Sequence, residues 1–396
     1  MEDLRVSGFS WSGVRAGIKS KAGKKDLGLI LAERPVPAAA VFTKNVVRAA
    51  PVELASERLR GGRCQAVLVN SGNANACTGA VGRRDAKGTT RALARALGIE
   101  ERWVIPASTG VIGVPLPAEK IHAALPALLR TGEDRAADFS KAILTTDRGS
   151  KVAATTFRLG RESVRVACIA KGAGMIAPHM ATTLAFLATD ATVPAPVLRK
   201  ILRSAVGKTF NRMSVDGDTS TNDMILAMAS GDAHGQRVRS DSGEARKLGR
   251  AVEDLLLTVG KMILADGEGS QHVVHYRVSG APSDRAALQV AKTVAGSLLV
   301  KTALFGADPN WGRIVAAAGR AGVPFRVERA TVAFEDAVVY RRGQVKGGSV
   351  EKRAHAVMSR AEYSVHLDLG AGPGKADFWG CDLSYGYVRV NAEYRT

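Results

Sequence analysis

The chain has 396 residues, of which 46% are hydrophobic and 23% charged, and its formal net charge is +19. This is the composition of a globular protein with a sizeable core, and it excludes a disordered chain. No apolar run reaches membrane-spanning length, and residues 1–25 lack the apolar core of a signal peptide, so the sequence predicts a cytoplasmic protein without a membrane partner.

The first half of the chain alternates between predicted strands and amphipathic helices. The strands are predicted at Leu27–Leu31, Ala38–Phe42, Cys64–Val69, Trp103–Pro106, Ala153–Phe157 and Ser163–Ala170, and the helices at Arg84–Leu97, Leu116–Leu129 and Asp134–Leu144. Two polar segments follow buried strands, an Asn-rich one at Asn70–Gly79 and a turn at Ala107–Gly113 (ASTGVIG) with exposed amides and hydroxyls. Such segments suit either structural turns or ligand contacts.

The central segment, Lys171–Asp190 (KGAGMIAPHMATTLAFLATD), leads from one predicted strand into the next, Thr182–Ala188. If the peptide bond between Ala181 and Thr182 is cut, Thr182 gains a free α-amine beside its hydroxyl. Because an α-amine has a pKa of about 8, it can act as the base for that hydroxyl without a histidine. A threonine pair is also common at the start of an ordinary strand, so this segment alone leaves both interpretations open.

The second half contains predicted helices at Pro196–Val206, Glu244–Leu264 and Ser283–Leu299, and a short Ala-rich helix after Phe305–Arg313. From Gly322 onward the pattern predicts mainly strands and turns. The chain closes with Tyr385–Thr396, whose alternating residues predict a strand.

Known cofactor and metal motifs fail in this sequence. Gly207-Lys208-Thr209 lacks the first glycine of a phosphate loop, and Gly370–Gly374 is followed by no helix start of the kind that a dinucleotide site needs. His272 and His275 are three apart on a predicted strand and would face opposite sides. The four cysteines have no CxxC spacing. The sequence therefore predicts no metal and no cofactor.

The positive charge raises the alternative of a nucleic-acid-binding protein. The Lys and Arg residues are spread along the chain, without the aromatic and basic motifs of RNA-binding modules or zinc-finger spacing. The clusters at Lys19–Lys25 and Tyr340–Lys346 are typical of solvated loops. The sequence favours a protein with no nucleic-acid partner, and binding to DNA or RNA remains the alternative from another functional class.

Several distant residues have the chemistry to complete an acyl-transfer site around Thr182. They are Thr109, Gly110, Lys171, Glu268, Asn391 and the carboxylate of Thr396. The first two offer a hydroxyl and an amide to an oxyanion, while Lys171 suits a substrate carboxylate and Glu268 a substrate ammonium. Nothing in the sequence alone brings these residues together.

The chain resembles the glutamate N-acetyltransferase (ornithine acetyltransferase) family of arginine biosynthesis. The resemblance covers nearly the whole length through ordered motifs: VFTKNVVRAAPV, VNSGNANACTG, ASTGVIG, KGAGMIAPHMATTLAFLATD, FNRMSVDGDTSTND, DGEGS, KTALFGADPNWGRI and NAEYRT. Turn-like or strand-like readings of single segments do not explain this ordered set.

The resemblance implies a self-cleaving precursor with its cleavage site at Ala181–Thr182 and Thr182 as the nucleophile. It implies Thr109 and Gly110 as the oxyanion pair. The implied substrate-binding positions are Thr146, Lys171, Thr182, Glu268, Asn391 and Thr396. His179 departs from the asparagine that the family usually has there. An imidazole offers a donor and an acceptor in one tautomer, so we expect slower or pH-dependent cleavage without loss of activity.

The resemblance also implies the fold and the division of the chain. The expected class is α/β (α+β), an αββα sandwich similar to N-terminal-nucleophile hydrolases, with a smaller C-terminal α/β subdomain from about residue 280 to 396. Residues 1–181 would form the α chain and residues 182–396 the β chain. The implied assembly is a heterotetramer of two α and two β chains.

The implied activity is transfer of the acetyl group from N2-acetyl-L-ornithine to L-glutamate through an acetyl-threonine, a ping-pong scheme. It uses no ATP and no metal, because one amide is exchanged for another of similar energy. Whether acetyl-CoA is also a co-substrate, which would add amino-acid N-acetyltransferase activity, is left open. A self-cleaving amidase or aminopeptidase, with water in place of glutamate as the acceptor, is the nearest alternative.

Overall fold

The computed structural model describes residues 3–20, 23–130, 135–177 and 183–393. These residues form two compact units. The first consists of the described parts of Met1–Asn211 together with Asp218–Ile263, and the second of Arg212–Gly217 together with the described part of Leu264–Arg395. The sequence placed the start of the smaller subdomain at about residue 280, and the main segment of the second unit begins at Leu264.

The strands and helices are numbered in chain order. The strands are β1 Phe9–Val14, β2 Leu27–Phe42, β3 Arg63–Asn73, β4 Val104–Val111, β5 Lys151–Leu159, β6 Glu162–Lys171, β7 Leu184–Thr189, β8 Met213–Ser214, β9 Met224–Ala229, β10 Val273–Ala281, β11 Thr331–Phe334, β12 Ala337–Arg341, β13 Gln344–Val345, β14 Glu362–Asp368 and β15 Gly374–Cys381. The helices are α1 Ala50–Arg58, α2 Gly79–Leu97, α3 Ala118–Leu129, α4 Ala136–Ala142, α5 Ala195–Lys208, α6 Gly243–Ala265, α7 Asp284–Ala295, α8 Leu298–Phe305, α9 Trp311–Gly319, α10 Ser349–Met358 and α11 Tyr385–Glu393.

The first unit is built on one sheet with the order β4-β3-β2-β9-β7-β6-β5, and β1 also pairs with β2. The long strand β2 joins its two halves: its first part pairs with β1 and β3 and its last part with β9, with a register shift between Leu31 and Val36. Four strands lie between β4 and β6 in this order, yet Lys171 Nζ lies 3.1 Å from Thr109 Oγ1. The two halves of the sheet must therefore fold over each other and form two β layers.

Residues alternate along the strands between an inner core and outer helix contacts. Val67 and Val69 of β3 join an inner cluster with Phe186 of β7, whereas Leu68 packs outward in a cluster with α2 and α3. On the other layer, α6 lies along β5. The order helix, sheet, sheet, helix follows for the first unit, and the predicted αββα class is confirmed.

The second unit has a sheet with the order β13-β12-β11-β14-β10-β15-β8. Its apolar core contains residues of β10, β11 and β14 together with residues of α7, α9 and α10. No described helix is by itself long and apolar enough to cross a membrane; α7 and α8 pass that test only as a pair, and they are bent by 62°.

Several predicted elements are corrected by the structure. Leu27–Leu31 and Ala38–Phe42 belong to the single strand β2, and the predicted helix Ser283–Leu299 is interrupted between α7 and α8. The region after Gly322 also contains two helices, α10 and α11. The predicted C-terminal strand is wrong, because Tyr385–Glu393 is helical. Its start is fixed locally, since Ser384 Oγ accepts a hydrogen bond from Gly386 N at 3.0 Å, as a helix-capping hydroxyl does.

Candidate active site

The end of strand β4 carries the two predicted oxyanion residues. Thr109 is buried, and Gly110 has a φ of +133°. Because β3 and β4 run parallel here, Gly110 lies beside Gly72, and a Cβ on Gly110 would be 2.4 Å from the Gly72 carbonyl carbon. Only glycine fits this position. The prediction of an exposed turn at Ala107–Gly113 is wrong for its first half, which is buried strand, because close packing against β3 leaves no room for water.

The last residue of β6 brings a cation to this strand end. Lys171 is 1% exposed, and its Nζ donates a hydrogen bond to Thr109 Oγ1 at 3.1 Å. A buried ammonium group is costly unless negative charge or hydrogen bonds compensate it. The site is therefore suited to an anionic group, such as a substrate carboxylate or an oxyanion that forms during reaction.

One buried carboxylate, Asp147, shares its negative charge between this ammonium group and that of Lys151. Asp147 Oδ1 is 2.5 Å from Lys151 Nζ and accepts a hydrogen bond from Gly172 N at 2.7 Å, while its Oδ2 accepts one from Thr145 N at 2.9 Å. Burial opposes ionisation, but Lys171 and Lys151 outweigh it and hold the pKa of Asp147 below its ordinary value. Asp147 therefore connects two segments. It holds the residue after Lys171 through the Gly172 amide, and it holds the turn that carries the predicted residue Thr146 through the Thr145 amide.

Sequence reasoning did not assign a role to Asp147 or Lys151. Asp147 follows the predicted Thr146 directly, but an acidic residue in a polar loop is usually exposed. Only the structure shows that both side chains are buried, with Asp147 at 0% and Lys151 at 2% side-chain exposure. No sequence signal distinguishes them from solvated residues.

A third lysine, Lys19, packs beside the oxyanion strands. Lys19 Nζ donates a hydrogen bond to Lys25 O at 2.9 Å, and its Cγ would lie 2.9 Å from a Cβ on Gly72. Burial lowers the pKa of Lys19 to about 8; the charges of Lys24 and Lys171 add to this effect, and Asp26 opposes it. Lys19 is thus an exception to the predicted solvated loop at Lys19–Lys25.

In the second unit, Glu268 and Asn391 are brought into contact. Asn391 Nδ2 donates a hydrogen bond to Glu268 Oε2 at 2.8 Å. The start of α11 is held against the loop of Glu268, because Ser384 Oγ donates to Gly269 O at 2.5 Å. The buried Asp382 fixes the next residues of that loop through the amides of Gln271 and His272, at 2.9 and 3.1 Å. Two residues predicted from distant segments are therefore neighbours.

The remaining predicted residues lie outside the described part of the chain. They are Ala181, Thr182 and Thr396, together with His179. The structure resumes at Thr183, one residue before β7. Within the described ranges, no group of three or more His, Cys, Asp or Glu residues is placed to hold a metal ion.

Comparison with known proteins identifies the family. The model of the ArgJ family matches residues 10–396. The chain belongs to the ArgJ family. Two relatives are named arginine biosynthesis bifunctional protein ArgJ. The one from Geobacter sulfurreducens is 46% identical and spans 99% of this chain and 100% of its own length; the one from Chlorobaculum tepidum is 46% identical, with 98% and 96% covered.

A solved structure agrees with this assignment. The crystal structure of the arginine biosynthesis bifunctional protein ArgJ of Bacillus halodurans is 38% identical to this chain, with a TM-score of 0.50. The matched region covers 52% of this chain and 96% of the solved chain. As an ArgJ family member, the chain is an acyltransferase of arginine biosynthesis. The resemblance and the enzyme class predicted from the sequence are confirmed.

Proposed function

We propose that this ArgJ chain transfers the acetyl group of N2-acetylornithine to glutamate through an acetyl ester on Thr182. The observation that carries the proposal is the contact between Lys171 and Thr109 beside Gly110, at the end of two buried strands. At this place the chain offers the ammonium group of Lys171, the hydroxyl of Thr109 and the backbone amide of Gly110. Groups of this kind stabilise an oxyanion.

The first chemical step is self-cleavage. Thr182 Oγ attacks the carbonyl carbon of Ala181, the bond from that carbon to the Thr182 nitrogen breaks, and the hydroxyl proton ends on the released amine. Water then hydrolyses the resulting ester, which frees the Ala181 carboxylate and restores the Thr182 hydroxyl. The product is a chain that begins with a threonine whose own amine can act as a base.

The second step is acetyl transfer. The α-amine takes the Oγ proton while Oγ attacks the acetyl carbonyl, and Thr109 and Gly110 receive the negative charge on the carbonyl oxygen. Loss of one such donor typically costs about 3 kcal/mol of barrier. Ornithine leaves with the proton and glutamate enters. The amine of glutamate then attacks the acetyl ester on Thr182 and takes the acetyl group. Lys171 and Thr146 would bind the substrate carboxylate end, and Glu268 with Asn391 and Thr396 the amino end.

The coverage of the solved relative supports a two-chain enzyme. The Bacillus halodurans chain is matched over 96% of its own length but covers only 52% of this chain, whereas the Geobacter sulfurreducens relative is matched over its full length. A half-length chain is expected for one product of cleavage, and residues 182–396 make up about this share of the sequence. We extend the proposal to a cytoplasmic heterotetramer of two α and two β chains.

The word bifunctional in the names of the relatives supports acetyl-CoA as a second acetyl donor. In that reaction the same threonine would take the acetyl group from a thioester, and glutamate would again accept it. No other cofactor is part of the proposal.

The experiment combines an intact-mass measurement with an activity assay. The purified wild type should contain two fragments that begin at Met1 and Thr182, and Thr182→Ala should remain whole and inactive. Thr189→Ala is the matched control, because it removes a threonine from the other end of β7 and should still be cleaved. Ornithine release that requires glutamate supports the transferase, and release without glutamate supports the amidase. An uncleaved wild type that transfers acetyl groups would refute the proposal.

A further inference from the structure

One end of the sheet in the second unit carries a cavity that is rich in arginine. Its volume is about 800 Å³, and its lining residues are Arg329, Thr331, Arg341, Arg342, Asp368 and Gly370. Arg329 reaches it from the turn before β11, where a Cβ on Gly370 would lie 3.0 Å from the Arg329 Cβ. Three guanidinium groups and one carboxylate line the cavity, so it has an excess of positive charge.

The floor of this cavity is built by strand pairing. Thr331 of β11 pairs with Arg341 of β12 on one side and with Asp368 of β14 on the other. Residues that pair across neighbouring strands place their side chains on the same face of a sheet. The adjacent residues Val332 and Leu367 belong to the apolar core under the helices, so the cavity lies on the opposite face.

The three arginines of this cavity have no counter-charge of their own. Within the described residues, none of their guanidinium groups forms an ion pair or a hydrogen bond. Arg353, on the helix side of the same unit, does pair with a carboxylate, that of Asp336 at 2.5 Å. In the cavity, Asp368 Oδ1 instead accepts a hydrogen bond from Gly370 N at 3.1 Å. The planar donor fork of each arginine is therefore available to an anionic ligand.

The backbone holds one of these arginines in an unfavourable conformation. Arg341 pairs with Gln344, so Arg342 and Gly343 form the two-residue loop between β12 and β13, with φ of +49° and +82°. Loops of this kind favour Asn or Asp at the first position, because the left-handed conformation strains other side chains. Such strained residues concentrate at sites that bind ligands. The side chain of Arg342, which lines the cavity, gives a reason for its presence there.

The cavity is separate from the predicted substrate-binding residues of the second unit. Glu268, with Asn391 beside it, lies in the loop before β10. Asp368 pairs with Ser279, near the other end of that strand. The part of β10 from Val273 to Ser279 spans about 20 Å. Binding of acetylornithine and glutamate therefore leaves the cavity without a role.

We propose that Arg329, Arg341 and Arg342 form a binding site for a ligand that carries a diphosphate chain. Each guanidinium group can donate two parallel hydrogen bonds to phosphate oxygens, and three such groups match the charge of two linked phosphates. A cavity of this volume admits a whole small ligand. Asp368 would accept a hydrogen bond from a hydroxyl group of that ligand. Diphosphate chains occur in nucleotides and in coenzyme A, and the test distinguishes these sources.

The test is isothermal titration calorimetry of the purified full-length protein with inorganic pyrophosphate, ADP and coenzyme A. The wild type should bind pyrophosphate, and Arg329→Ala and Arg341→Ala should each weaken this binding by about tenfold or more, the usual effect of losing hydrogen bonds to a charged group. Arg353→Ala is the matched control, because it removes one positive charge from the helix side of the same unit. It should bind like the wild type.

Arg342→Gly separates binding from folding. Glycine adopts the left-handed conformation without strain, so this variant should lose affinity while its melting temperature does not fall. No binding of pyrophosphate, ADP or coenzyme A at millimolar concentrations would overturn the inference, as would unchanged binding in all three arginine variants.

The relative affinities of the wild type identify the source of the diphosphate. ADP and coenzyme A that both bind more tightly than pyrophosphate indicate a nucleotide site, and coenzyme A that binds more tightly than ADP indicates a site for the thioester donor. Pyrophosphate that binds as tightly as either indicates a site for the phosphate chain alone. Acetyl transfer is measured separately, so loss of phosphate binding leaves the proposed function intact.

Discussion

Replacing Asp147 by asparagine should destabilise the first unit strongly. The carboxylate receives donors on both oxygens, Lys151 Nζ and Gly172 N on Oδ1 and Thr145 N on Oδ2. An amide can accept on only one of its two polar atoms, so at least one buried donor would face an NH₂ group. It would also leave the ammonium groups of Lys151 and Lys171 without their buried counter-charge. Breaking a buried ion pair from one side typically costs about 3–5 kcal/mol.

We expect the lower end of that range, about 3 kcal/mol, because the amide keeps one acceptor. For a unit of this size that corresponds to a melting temperature lower by roughly 6–12 °C. The effect should depend on pH with a definite sign. Since Lys171 and Lys151 outweigh burial and hold the pKa of Asp147 below its unfolded value, its contribution is present at neutral pH and is lost as pH falls through the folded pKa.

The assay is thermal unfolding of the wild type, Asp147→Asn and Asp138→Asn at neutral and acidic pH. Asp138 pairs with Lys25 at 2.8 Å, but both side chains are partly exposed, so its replacement should cost less than about 1 kcal/mol. The difference between wild type and Asp147→Asn should shrink in acid. Equal melting temperatures for the two variants at neutral pH would refute the reasoning that burial makes the Asp147 network strong.

Two further predictions concern the reaction. Gly110→Ala should lower acetyl transfer by about 100-fold or more, because its Cβ would meet the Gly72 backbone at 2.4 Å and displace an oxyanion donor. Gly113→Ala, at a φ of +81° with no atom within 4 Å of the added Cβ, should stay active, and equal losses in both variants would argue against the steric explanation. Glu268→Gln and Lys171→Met should raise KM for acetylornithine and glutamate more than they slow self-cleavage, as measured by steady-state kinetics beside a denaturing gel; parallel loss of both would indicate a folding defect instead.

The sequence alone determined which local segments form strands and helices wherever the pattern was long and regular. The apolar runs that became β3, β6 and β7 and the amphipathic runs that became α2 and α6 carry their signal in neighbouring residues. The ordered motifs along the whole chain indicated the family and the expected chemistry, because they contain the residues that the proposed reaction uses. They also named Thr109, Gly110 and Lys171 before any distance was known.

The tertiary structure decided what lies beside what. The alternating residues of Tyr385–Glu393 fit a strand equally well, but they form a helix whose start is held against the loop of Glu268, because Ser384 Oγ donates a hydrogen bond to Gly269 O. The burial of Asp147, and the charge of Lys171 that helps to lower its pKa against the effect of that burial, depend on a strand more than twenty residues away in sequence. Local patterns cannot encode such effects, since desolvation and charge pairing are set by neighbours in space, which exist only once the sheet has folded over itself.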